Sequence, residues 1–270
     1  MMKADYRTFF GFRKEPFASD IKHKEILETD ALAGVCDRFD YAVRLGAIAV
    51  VTGDVGSGKS TALRYAVGRL HPSEYRWFYI TATSGSILEL YRQLAEALGG
   101  QGSGNSRAAL LGRIRKAVNE LARDKKMKLV LVIDEASLLR LEVFTELHSL
   151  LQFDQDARPL LPVILAGQLS LIDKLMYRTA MPLSSRVIGR SHLEGINRED
   201  MEAYIRHHLK IAGISNDLYD PQAVTAIHQG SGGLLRKANH LARGALIAAA
   251  ASQSTSVSAE HVRLAATEIF

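Results

Sequence analysis

The sequence predicts an α/β fold: a parallel five-stranded sheet with helices on both faces, followed by a small domain made of helices alone. Three observations predict it. Residues 47–51 and 129–133 are continuous apolar runs, the pattern of strands covered on both faces. Strand and amphipathic-helix patterns alternate through the first two thirds of the chain, as parallel strands joined by crossover helices require. From Asn197 onward only helical patterns remain.

The elements follow in order. Residues 1–46 read as an entry segment. Tyr6, Phe9, Phe10 and Phe12 make it too aromatic for a free tail, Glu15-Pro16-Phe17 bends it, and residues 29–45 carry a helical pattern. The first strand then runs into Gly53-Asp54-Val55-Gly56-Ser57-Gly58-Lys59-Ser60-Thr61. A buried strand, a glycine-rich turn and a helix, in that order, build a triphosphate site. The glycines let backbone N–H groups curl around phosphates. Lys59 brings a charge to the β- and γ-phosphates, and the Ser60 hydroxyl suits Mg²⁺. The helix opening at Lys59 turns its positive end toward the same anion. The spacing therefore predicts binding of ATP or GTP along Gly53 to Thr61, with the entry segment packed on that site.

The helix after Lys59 stops near His71-Pro72, and the aromatic, β-branched residues 75–81 give a second strand. Ile87, Leu90, Leu94 and Leu98 mark an amphipathic helix over residues 86–98. A flexible glycine-rich loop is expected at residues 99–104, then a helix over residues 106–123. The third strand ends in Asp134-Glu135. A carboxylate at the C-terminal end of such a strand holds Mg²⁺ through water, the role expected of Asp134. Glu135 stands where a base orients and deprotonates an attacking water. A helix near residues 144–152, a fourth strand at 162–166 and a short fifth at 186–193 complete the α/β part. Asn197 then caps a helix that Gly213 ends, and Pro221 opens the next. Ser231-Gly232-Gly233 turns into a helix over residues 234–252, and Ser258 caps the last one. The expected divisions are residues 1–46, 47–195 and 196–270.

The chain's 270 residues are 47% hydrophobic, enough for a full core. A single cysteine, Cys36, excludes an internal disulfide and argues against a cysteine zinc site. No apolar stretch reaches the ~18 residues of a membrane span. The start, with Lys3, Asp5 and Arg7, has no apolar signal core, so a cytoplasmic location away from membranes is expected. His207 and His208 point in different directions on a helix and have no carboxylate or cysteine cluster beside them, so no metal beyond Mg²⁺ is expected. The formal net charge is +5. Residues 197–270 hold seven basic and seven acidic residues, so the excess lies earlier. Residues 113–128 carry seven basic residues against Glu120 and Asp124. That stretch suits either a solvated helix face with its loop or a contact with a phosphate backbone or other acidic surface.

A phosphate-loop domain followed by a small helical bundle resembles the AAA+ ATPases. Four stretches are similar to the ExeA-like ATPases: Phe9-Phe10-Gly11-Phe12 with Glu15-Pro16-Phe17, the run from Val51 to Thr61, Ile164-Leu165-Ala166-Gly167-Gln168, and Gly232-Gly233-Leu234-Leu235-Arg236-Lys237-Ala238-Asn239. The resemblance covers nearly the whole chain. It implies a P-loop AAA+ sheet with a helical lid, ATP hydrolysis with Mg²⁺, and homo-oligomers built as rings or helical filaments. By motif it makes Gln168 the polar residue that helps position the attacking water, and Arg236 the lid arginine that reaches the γ-phosphate. Arg186, ahead of Arg190, is the arginine that completes a neighbouring subunit's site. Leu169-Ser170-Leu171 departs from the Pro-Glu-Leu common after that glutamine, which loosens the match without touching the chemistry.

The ExeA-like family holds secretion-assembly ATPases and also transposon- and phage-encoded ATPases similar to TniB and the phage Mu helper. The acidic stretch Gln152-Phe153-Asp154-Gln155-Asp156, and a sequence that shows no membrane segment after its helical part, resemble the second group. That likeness implies ATP-dependent assembly on double-stranded DNA and direction of a transposase. Sequence-tolerant, salt-sensitive DNA contacts are then expected at Thr83, Ser84, Arg113, Lys116 and Lys125. The alternative is an ATPase that assembles a secretion complex without DNA. A third class, a switch that binds ATP and turns over little, is disfavoured by Glu135.

Overall fold

Five strands, β1 (Ile48–Gly53), β2 (Tyr75–Thr81), β3 (Lys128–Asp134), β4 (Val163–Gly167) and β5 (Val187–Leu193), pair in parallel in the order β2-β3-β4-β1-β5. The computed structural model describes residues 5–99 and 104–268. Residues 100–103 of the expected glycine-rich loop, and Lys3, lie outside the described residues. The three central strands are buried along almost their whole length, and that is why they read as unbroken apolar runs. The edge strands alternate buried and accessible positions, so β2 mixes Phe78 and Ile80, both facing inward, with accessible Trp77 and Tyr79.

Two compact units divide the chain. The sheet unit comprises Thr29–Gly53 and Lys59–Leu193. Its larger helices are α2 (Asp30–Leu45), α3 (Lys59–Gly68), α4 (Ile87–Ala97), α5 (Arg107–Asn119) and α6 (Leu141–Leu150). Each boundary has a local cause. The Thr29 hydroxyl caps α2 by accepting from the Leu32 N–H at 3.2 Å, and Gly46 ends it at φ 66°. A Cβ at Gly46 would stand 2.4 Å from the Pro159 Cβ, so glycine alone fits that corner. The Ser106 hydroxyl caps α5, which widens into a π-helical turn over Glu120–Asp124 instead of continuing as one α-helix to residue 123. Two short helices, α7 (Ser170–Met176) and α8 (Met181–Ser184), join β4 to β5. The sequence pattern had offered no helix there. Leu131, Ile133, Leu94, Ile114 and Phe144 form the centre of this unit's core, with essentially no solvent exposure.

The helical unit comprises Met1–Glu28, Asp54–Gly58 and Glu194–Phe270. It is built on α1 (Tyr6–Phe10), α9 (Arg198–Ile211), α10 (Pro221–Ser231), α11 (Leu235–Ala251) and α12 (Ala259–Ala266). Asn197 and Asp220 cap α9 and α10 through their side chains. The entry segment does not pack as one piece. Its aromatic part joins the helices: Phe12 and Phe17 are buried with Met201, Ile205, Leu209 and Tyr219. Glu15 pairs with Arg243, and the Arg243 guanidinium donates to the Phe17 carbonyl at 2.6 Å. Its later part is α2, in the sheet unit against β1 and β5. His207 bonds the Glu25 carbonyl at 2.6 Å, and the His208 ring stacks on Phe17. Both histidines therefore serve the packing of the entry segment. Among the described residues, no helix is long and apolar enough to cross a membrane.

Candidate functional site

β1 delivers the chain into the turn Asp54–Gly58, and α3 opens directly at Lys59. Gly56 and Gly58 hold φ of +89° and +99°, a region that side chains with a Cβ enter only at a cost. A Cβ on Gly56 would lie 2.9 Å from the Cβ of Arg236, and the Arg236 N–H donates to the Gly56 carbonyl at 3.1 Å. Within the helical unit, then, the predicted lid arginine lies against the glycine turn. The Ser57 hydroxyl is buried and has no hydrogen-bond partner in the protein, and the accessible Asp54 and Val55 precede it in the turn.

In the sheet unit, β4 lies between β1 and β3, so the residues leaving these three strands stand side by side. Lys59 is buried, with its ammonium donating to the Gly53 carbonyl at 2.9 Å. Thr61 follows on the same helix. The Ser60 hydroxyl donates to Asp134 Oδ2 at 2.8 Å. Asp134 is buried, and its other oxygen accepts the Glu135 N–H at 2.9 Å. Glu135 takes φ +53° and ψ +30°, a left-handed conformation that costs a non-glycine residue roughly 1–3 kcal/mol. The turn places the half-buried Glu135 directly after Asp134 and feeds the 3₁₀ turn Ala136–Leu138.

Gln168 leaves β4 exposed, and its N–H donates to the Ser137 hydroxyl at 3.3 Å. The Lys174 ammonium donates to the Ser137 carbonyl at 2.5 Å and the Leu139 carbonyl at 2.8 Å, bracing the segment after Glu135. Arg186 precedes edge strand β5 and pairs with Asp156, and Arg190 is exposed on β5. Thr83 and Ser84 form an exposed turn after β2 whose Ser84 carbonyl accepts from Arg140 at 3.0 Å. Five of the seven basic residues in 113–128 have partners in the chain. Arg113 and Arg115 donate to the Gly104 and Ser149 carbonyls, Arg123 pairs with Asp154, Lys125 with Glu120 and Lys128 with Glu74. Of the expected DNA contacts here, Lys116 is exposed on α5.

Tyr79, Ser137 and Lys174 are the site residues that sequence reasoning missed. Tyr79 lies on the accessible face of β2 and donates its hydroxyl to Asp134 Oδ2. Burial, and then the bond to Asp134, raise its pKa, so the phenol stays protonated as the donor of that hydrogen bond. The donor set fits the groups a phosphate loop serves. Left-handed glycines and an unpartnered buried hydroxyl suit phosphate oxygens, and a hydroxyl and a carboxylate in contact suit a hard, oxygen-seeking Mg²⁺.

Residues 43–175 match the family model described as AAA domain. The chain is similar to General secretion pathway protein A of Aeromonas hydrophila, 29% identical over 272 residues, covering 98% of this chain and 48% of that protein. It thus spans about half the length of that curated relative. Among solved structures it is similar to Cdc6p from Pyrobaculum aerophilum, with a TM-score of 0.75, 17% identity, 94% of this chain covered and 70% of that one. It is also similar to the Aeropyrum pernix ORC1 protein solved in complex with DNA, with a TM-score of 0.70, 18% identity, 96% of this chain covered and 70% of that one. At such identities the structural likeness speaks for the fold. Residues 43–175 are thus similar to the AAA domain family, and the chain shares the fold of these solved structures, a parallel five-stranded sheet followed by helices.

Proposed function

We propose that this chain hydrolyses ATP, assembles on double-stranded DNA as an ATP-dependent homo-oligomer, and directs a transposase in the cytoplasm. The observation that carries the enzymatic part is the contact of Ser60 with Asp134, beside a Glu135 held in a strained turn. In this reading the N–H groups of Gly53 to Thr61 and the Lys59 ammonium bind the phosphates. Ser60 and Asp134 hold Mg²⁺, which when bound offsets the negative charge developing on the phosphoryl oxygens. Glu135 orients the attacking water in line with the γ-phosphorus and accepts its proton. Gln168 helps position that water, and Arg236, bonded through its backbone to Gly56, answers the γ-phosphate charge. An arginine from a neighbouring copy, Arg186 or Arg190, completes the site and is worth ~10³–10⁵ in rate where such fingers act. For Arg186 this means exchanging its Asp156 partner for the phosphate.

The DNA part rests on three supports: the transposon-type resemblance, a basic excess before Asn197, and a fold shared with an ORC1 protein solved in complex with DNA. Thr83, Ser84, Lys116 and Lys125 offer the accessible contacts, Lys125 after exchange of its Glu120 partner, and Arg113 would enter after leaving the Gly104 carbonyl. A second reading, assembly of a secretion complex, is favoured by the similarity to General secretion pathway protein A. Steady-state ATP hydrolysis with and without non-specific double-stranded DNA, at low and moderate salt, separates the two. Stimulation that fades with salt, accompanied by ATP-dependent DNA binding, is expected. Hydrolysis indifferent to DNA, with no such binding, would move the assignment to secretion assembly.

A further inference from the structure

Asp134 is gripped more tightly than a phosphate loop by itself requires. Its Oδ1 accepts the Glu135 N–H at 2.9 Å, while Oδ2 accepts both the Ser60 hydroxyl at 2.8 Å and the Tyr79 hydroxyl. The strand register explains how Tyr79 arrives there. Thr81 of β2 pairs with Asp134 of β3, so Tyr79, two residues earlier, shares the face of the sheet on which Asp134 lies. Packing does not account for a tyrosine at this position. Its neighbours Phe78 and Ile80 point into the core, whereas Tyr79 is 37% exposed and puts its polar end on a buried carboxylate. Ser60 reaches the carboxylate from the phosphate-loop helix, and Tyr79 reaches the same oxygen from the neighbouring strand.

The geometry points to Tyr79 as a positioning residue that clamps the Asp134 carboxylate for Mg²⁺ and so sets the Mg²⁺ concentration at which the nucleotide complex forms. This inference rests on the ATPase reading above. A hydrogen bond to an ionised acceptor is stronger than a neutral one. Its loss from a partly accessible site is expected to raise the Mg²⁺ requirement about tenfold.

The test compares wild type, Tyr79→Phe, Tyr79→Gln, Asp134→Asn and the Tyr79→Phe/Asp134→Asn pair. Binding of a fluorescent ATP analogue is measured in EDTA and across a Mg²⁺ titration, with hydrolysis followed over the same titration. Tyr79→Phe should bind nucleotide in EDTA as wild type does, yet need about ten times more Mg²⁺ for half-maximal binding and turnover. Tyr79→Gln, which restores a donor, should recover part of the loss. In the Asp134→Asn background, Tyr79→Phe should add little, because it acts through that carboxylate. A merely structural role on β2 would instead persist in that background. Either that persistence or an unchanged Mg²⁺ requirement in Tyr79→Phe overturns the assignment. If wild type binds no nucleotide at all, the ATPase reading falls, and the role of Tyr79 with it. If wild type depends on Mg²⁺ and Tyr79→Phe matches it, only the role of Tyr79 falls.

Discussion

Acidification should loosen the helical unit through one residue, His208. This side chain is 5% exposed on α9, stacked on Phe17 with ring centroids 5.3 Å apart, and 4.4 Å from the Tyr204 ring. Burial, and secondarily the neighbouring His207, lower its pKa from 6.5 to about 4. The fold therefore prefers the neutral imidazole. Above pH 6.5 folded and unfolded chains are both neutral and the residue costs nothing. Between pH 6.5 and about 4 the unfolded chain binds a proton that the folded chain refuses, so stability falls as pH falls. The slope is roughly 1.4 kcal/mol per pH unit, and the loss across the window is about 3 kcal/mol. That is a large part of the ~5–15 kcal/mol that holds a domain together. Urea denaturation followed by far-UV circular dichroism at closely spaced pH values reads it directly. With ~1–3 kcal/mol per molar of urea, the midpoint should drop by about 1 M or more from pH 6.5 to 4.5. His208→Phe keeps a ring against Phe17 and should flatten the profile in that window. Carboxylates whose pKa values are lowered, such as Asp154 and Glu260, lose their contribution at lower pH and leave the comparison intact. Equal slopes in the two proteins would refute the reasoning.

Other perturbations probe the site and the core. Gly56→Ala puts a Cβ at φ +89° and 2.9 Å from the Arg236 Cβ, a backbone cost of roughly 1–2 kcal/mol before the clash. ATP affinity should fall about tenfold or more in a fluorescence titration, and unchanged affinity would count against the phosphate-loop geometry. Lys174→Met leaves the Ser137 and Leu139 carbonyls unpaired and should lower kcat with little change in the KM for ATP. A shift confined to KM would contradict the bracing role. Phe144→Ala empties a position with no solvent exposure at the centre of the sheet unit and should cost ~3–5 kcal/mol in urea denaturation.

The strands β1 and β3 and the glycine-rich turn after β1 were legible because their physics is local. A parallel strand buried on both faces must be apolar throughout, and a turn that cradles phosphate must be glycine-rich, so β1, β3 and the residues that end them announced themselves. Tyr79 gave no such signal. Its role depends on the register of β2 against β3, and in sequence it is one more aromatic residue on an alternating edge strand. The destination of Phe12 and Phe17 was hidden for a related reason. Their apolar partners Met201, Ile205 and Leu209 lie nearly two hundred residues away, so the segment read as aromatic without revealing which core it joins. The ion pairs within the basic stretch 113–128 were hidden because the carboxylates that meet Arg123 and Lys128, Asp154 and Glu74, are remote in sequence. Helix α7 was missed because its seven residues bury only Leu171 and Leu175, too short a pattern to show a period.

Paired binding and hydrolysis assays of wild type and Glu135→Gln, with ATP and Mg²⁺, test the central claim most directly. If Glu135 takes the proton from water, the variant should bind ATP as wild type does while turnover falls by ~10²–10⁴, since an amide cannot accept that proton. Wild-type turnover in the variant, or no hydrolysis by wild type under conditions where it binds ATP and assembles, would contradict it.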